Sequence, residues 1–458
     1  MVVSRRDFLA TSGGAMLVPL SLRAAPAEAG EPHFFIHLSY FGGADNTCMF
    51  DARPADFKSR GKKADYIGRP PAVWTDDAGG RTLVADPFIR LGEHRDAFSI
   101  LNGVRMAAGF DGHPQNQAMI QTGSAFGGTL FPVRLNDAGG LPLAFILDGR
   151  LRGLEANSME WGAALDPAAA AGLGSAFREG GIAPPDSGLF RFLRERYGRW
   201  SRAGGSFASG AGLLQRSLEQ GPELAERIAG LEEEPAGATG ELMAGLVSAG
   251  QYFRNGLCRS VILTRNYPLD THDTARAQQQ PETFAAIAGE IDTLFRYLKT
   301  TAFDGAAGLS LLDVTTVLIS TEFSRTYYQN GKSLDVTGTN HNPLTNSVVI
   351  GGKGIRPGRI IGASDLEAVD GENRFVNLSG AHLQQDRALI KPMGRVFDPV
   401  TLQARREEQP EEDRPEHYLN YHSVINTLYH LFGVDAAAAL TPVRNGPRAP
   451  VLTGLLAP

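Results

Sequence analysis

The chain has 458 residues, a formal charge of -6, and 42% hydrophobic against 21% charged residues. That balance excludes the basic footprint of a nucleic-acid binder and fits one large globular α/β domain or two ordinary ones. With two cysteines only, Cys48 and Cys258, a cysteine-built zinc or redox site is excluded; a disulfide in an oxidising compartment and two separate buried thiols both stay open.

The chain begins with Ser4-Arg5-Arg6-Asp7-Phe8-Leu9, the twin-arginine export pattern. The apolar run from Ala15 to Leu20 that follows is too short to span a bilayer as a helix. Ala27-Glu28-Ala29 then offers a small-residue cleavage site, with Ala25 as an alternative end. Residues 1–29 are therefore expected to be a signal read by the twin-arginine translocase, and the mature protein to be periplasmic or secreted. No later stretch is long and apolar enough to cross a membrane.

Five apolar, β-rich runs follow: His33–Tyr40, Ser99–Val104, Ser260–Thr264, Val314–Ser320 and Ser347–Ile350. Their unbroken hydrophobicity predicts strands buried on both faces. Helices are predicted over Pro114–Thr122, Gly240–Asn255 and Pro281–Thr301, the last with Phe284, Ile287, Ile291, Leu294, Phe295 and Leu298 at helical spacing. A C-terminal helix carries Val424, Leu428, Leu431 and Phe432 and stops at Gly433. Alternating strands and helices predict an α/β fold with a doubly wound, mainly parallel sheet. The Ala- and Gly-rich span 138–239 reads as a helical insertion within a single domain of residues 30–458. The charge run from Gln403 to Glu416 reads as solvated surface.

Polar clusters stand at the ends of these strands, where open α/β sheets bind ligands. Asp45 follows the first strand through Gly42-Gly43, placed either to hold a cation or to cap a helix. Asp270 and His272, two apart, offer an oxygen and an imidazole nitrogen suited to a transition metal, or form a surface turn. Glu322 closes the fourth strand, with Arg325 three residues on as an anion clamp or simply its ion-pair partner. His341 stands just before the fifth strand, as a ligand or a hydrogen-bonded loop histidine.

These residues, in this order with the twin-arginine start and the His113–Gly123 stretch, resemble the exported bacterial family called domain of unknown function 1501. That family is similar to the alkaline phosphatase and sulfatase superfamily. The resemblance implies one or two divalent ions (Zn, Mn, Ca or Mg) at the carboxyl edge of the sheet, held by Asp45, Asp270, His272, Glu322 and His341. It implies His113 as a general acid/base or ligand, and Arg325 as the group that holds the substrate anion. The chain departs from the family in two places: Gly112 stands where a serine often precedes the histidine, and Asn340 where an aspartate often precedes His341.

The expected function is metal-dependent hydrolysis of a small anionic phosphate or sulfate ester. The alternative is a non-catalytic binding or assembly protein for an exported protein or polymer, which Gly112 favours. A redox enzyme is the poorer third, because no G-x-G-x-x-G follows the first strand.

Overall fold

The computed structural model describes residues 31–53, 70–106, 112–126, 130–131, 134–135, 143–147, 164–165, 192, 195, 199, 240–272, 276, 279–304, 307–326, 339–368, 390–405, 417–443 and 446–458. The expected export signal, most of the span 138–239 and most of the charge run after Gln403 lie outside them.

A central sheet organises these residues. Its strands in chain order are β1 (Phe34–Phe41), β2 (Phe98–Leu101), β3 (Leu143–Leu147), β4 (Ala164–Leu165), β5 (Cys258–Asn266), β6 (Thr315–Thr321), β7 (Val348–Gly352) and β8 (Ile360–Ile361). They lie side by side in the order β8-β2-β7-β6-β1-β5-β3-β4. β1 is parallel to both β6 and β5, β5 to β3, β3 to β4, and β2 to β8. β7 alone runs against its neighbours β6 and β2. The sheet is thus mainly parallel. Within the span 138–239, β3 and β4 extend it at one edge, while residues 192, 195 and 199 are helical.

The pleat of β1 explains the layers. Phe34, Ile36, Leu38 and Tyr40 point to one face, where they join Leu242, Leu246 and Phe253 of α2 (Glu241–Arg254) and Phe284, Ile287, Ile291, Leu294, Phe295 and Leu298 of α3 (Gln280–Thr300). Phe35 and Phe41 point to the other face and pack with Met119 and Ile120 of α1 (His113–Thr122) and Val424, Ile425 and Leu428 of α4 (Tyr421–Leu431). All eight β1 residues are buried, each large apolar side chain contributing about 1.5–3 kcal/mol. Pro281 opens α3, and Asn420 caps α4 by accepting from Ser423 N–H. α1 starts after Gly112 and ends at Gly123, whose φ of 75° is the left-handed cap that glycine favours. Among the described residues no helix is long and apolar enough to cross a membrane. Cys48 and Cys258 are both buried and are not joined in a disulfide.

Candidate metal centre

Four segments meet at one edge of the sheet. β1, β5 and β6 run out there, into Gly42-Gly43, Asp270–His272 and Glu322–Arg325 respectively. His341 reaches the same edge from the opposite sense, because it precedes the antiparallel β7. A two-residue ladder, with Arg325 opposite His341 and Ser324 opposite Asn342, locks the segments before β7 and after β6 together. Thr339 N–H donates to Thr271 O at 2.7 Å, and their hydroxyls meet at 2.7 Å. This clasp sets His272 beside His341. α1 adds a fifth part, since His113 is its first residue.

One ligand atom each from His113, Asp270, His272 and His341 lies within 4.8 Å of the others. Nε2 of His272 and Nε2 of His341 are 2.9 Å apart. Asp270 Oδ1 is 3.1 Å from His272 Nε2, 3.4 Å from His113 Nε2 and 3.8 Å from His341 Nε2. A four-coordinate ion with arms of about 2.0–2.1 Å needs donors about 3.3 Å apart, so these separations fit one. Two imidazole nitrogens facing each other tolerate the approach only with a shared proton or a cation between them.

The surroundings orient the donors. Glu322, fully buried, accepts from His113 Nδ1 at 3.0 Å and from Gly42 N–H. That leaves the His113 Nε2 lone pair for the centre, the arrangement in which a carboxylate fixes the tautomer of a metal-binding histidine. Arg325, also fully buried, donates to Gly42 O, to Gly43 O at 2.9 Å and to Asp270 Oδ1 at 2.7 Å. Arg276 donates to Asp270 O at 3.1 Å and stands 3.5 Å from Oδ2. Burial opposes charge on His113, but the hydrogen bond and charge of Glu322 and the charge of Asp270 outweigh it and raise its pKa above the usual histidine value. Burial likewise works to raise the pKa of Asp270, and the Arg325 guanidinium overrides it, holding the carboxyl below the usual range.

Of the residues expected to bind metal, Asp270, His272 and His341 lie in this group, and His113 joins them. Glu322 stands behind His113. Asp45 is outside the group: its Oδ1 accepts from Thr47 N–H at 3.1 Å and Thr47 hydroxyl at 2.6 Å, capping the turn Asn46–Cys48. Glu322 and Arg325 each have a different partner. Arg276 was not singled out in the sequence; its place just beyond Asp270-Thr271-His272 is the one signal for it. Gly112 caps α1 without a side chain, and Thr122, at the far end, donates its hydroxyl to Ala118 O at 2.8 Å. Neither puts a hydroxyl at the helix start.

No curated protein matches the chain. Residues 257–399, which carry Asp270, His272, Glu322, Arg325 and His341 but neither Asp45 nor His113, match the family described as protein of unknown function (DUF1501).

Proposed function

We propose that the protein is an exported metal-dependent hydrolase of phosphate or sulfate esters, on a fold of the alkaline phosphatase and sulfatase kind. The observation that carries this reading is the convergence of three imidazoles and one carboxylate on a single point open to solvent, backed by a buried carboxylate that aims His113. Three nitrogen donors and one oxygen suit Zn²⁺ or a comparable transition ion better than Ca²⁺ or Mg²⁺, which take oxygen ligands. His113, Asp270, His272 and His341 would hold the ion, which when bound polarises a phosphoryl or sulfuryl oxygen and makes water acidic. Asp270 brings the negative charge of the donor set, and Arg325 braces it from behind. With no hydroxyl at the start of α1, the residues favour direct attack by water over a covalent ester of the protein. The same feature supports the alternative, a non-catalytic binding or assembly protein that keeps the fold, with or without an ion.

The test uses protein collected after export, whose first residue should be Gly30 if residues 1–29 are removed. Metal is measured by inductively coupled plasma mass spectrometry in the wild type and in Asp270→Ala/His272→Ala. About one ion per chain, lost in the double variant, with turnover of a phosphate or sulfate ester that is lost with it, supports the hydrolase. Metal without turnover of any ester in a broad panel supports the binding protein. Folded wild type without metal ends the hydrolase reading and turns the question to a binding partner.

A further inference from the structure

The two arginines at the centre differ in what they can reach. Arg325 has a side chain 0% exposed, and its Nε and Nη2 are held by the Gly42 and Gly43 carbonyls and Asp270 Oδ1. It lies on the protein side of Asp270, so a molecule arriving from solvent meets the donor set first. Arg276 lies on the other side. Its side chain is 50% exposed, beside Asp270 at 34% and His272 at 37%. It approaches the Asp270 oxygen, Oδ2, that is not turned to the imidazoles.

Charge around the centre points the same way. Asp270, Glu322 and Asp45, which acts on Arg325 through its charge, oppose the guanidiniums of Arg325 and Arg276. With three neutral imidazoles and one divalent ion, the sum is one net positive charge, concentrated at the mouth. Such a site attracts an anion. A guanidinium matches two oxygens of a tetrahedral oxyanion in a fork that an ammonium cannot reproduce.

We infer that Arg276, not Arg325, is the residue that recognises the anionic group of the substrate, a tetrahedral oxyanion monoester or its inorganic product. The inference rests on the metal centre proposed above and adds the group that reads the substrate. Arg325 is then a positioning residue for Asp270.

The experiment titrates zinc-loaded wild type, Arg276→Ala and Arg276→Lys with inorganic phosphate by isothermal calorimetry, and measures zinc in the same samples. The expected result is equal zinc in all three, with phosphate binding weakened about tenfold or more in Arg276→Ala. Arg276→Lys should fall between, since it restores charge without the fork. Unchanged phosphate affinity per zinc-loaded site in Arg276→Ala overturns the inference and leaves the metal centre standing. So does a loss of zinc that accounts for all the lost phosphate, because Arg276 would then only position Asp270. Absence of zinc from the wild type overturns the metal centre and this inference together.

Discussion

Glu322 is the residue whose neighbours change its meaning most. By sequence it reads as a ligand at the end of a buried strand. In the fold its carboxylate accepts from His113 Nδ1 and Gly42 N–H, one bond behind the converging atoms. Glu322→Gln keeps the shape but removes the charge that holds the His113 tautomer. Zinc affinity should drop about 10- to 100-fold, read by competition with a chromogenic chelator, with circular dichroism unchanged. Equal affinity in both proteins would show that His113 needs no such partner. Asp270, His272 and His341 were legible because residue type and strand-end position both marked them. For Asp45 the cap, one of its two sequence readings, is the one the fold uses; the role of Glu322 was not legible, since it depends on a ring from another element lying across the space.

The Gly42–Gly43 turn is where an element boundary builds the site. Gly42 and Gly43 have φ of 108° and 73°, a region that a side chain occupies only under strain. A Cβ on Gly43 would also run into the buried Phe323 ring, and one on Gly42 would lie 2.9 Å from Leu269 Cβ. Both carbonyls of the turn hold Arg325. Gly43→Ala should therefore cost about 1–3 kcal/mol in urea unfolding and loosen the brace on Asp270. A wild-type midpoint would mean the turn tolerates a side chain. β1, β2, β5, β6 and β7 were readable to within three residues at either end, because each is an apolar run. Strand direction was less so, since a strand buried on both faces reads alike either way. The one hint lay in the order of parts: Asp45, Asp270 and Glu322 follow their strands, whereas His341 precedes its own. Only an antiparallel β7 brings it to the shared edge.

At the scale of the whole molecule, helices on both faces leave the sheet interior dry, and histidines sit in it. His37, in the central strand, is fully buried with Nε2 2.9 Å from Ser320 Oγ. Burial lowers its pKa from 6.5 to about 3. The unfolded chain takes up a proton near pH 6.5 that the folded one refuses until about pH 3. Stability from this residue is complete above that window and falls as pH drops through it, by about 1.4 kcal/mol per pH unit. His37→Gln does not titrate. Between pH 6.5 and 5 its unfolding free energy should gain about 1.5–2 kcal/mol relative to wild type, measured by urea unfolding at each pH. Parallel pH profiles would refute this. The layered α/β fold was legible from alternating strands and helices. β3 and β4 were not, because they lie in an Ala- and Gly-rich span whose composition masks them, nor was β8 at the other edge, which is only two residues long.

The strand order has a consequence for how the chain is made. β1, inside the sheet, is the first of the described strands to be synthesised, yet its partner in β5 lies 225 residues later, Ser39 against Thr264. At about 5–20 residues per second, a ribosome needs roughly 10–45 seconds to deliver that partner. Through that interval a largely apolar segment waits without its sheet partners, exposed to aggregation. Closing loops of that length also makes assembly slow, and most of that cost comes before any parallel pairing repays it. Covering β1 until β5 emerges would therefore protect the nascent chain at its most exposed stage.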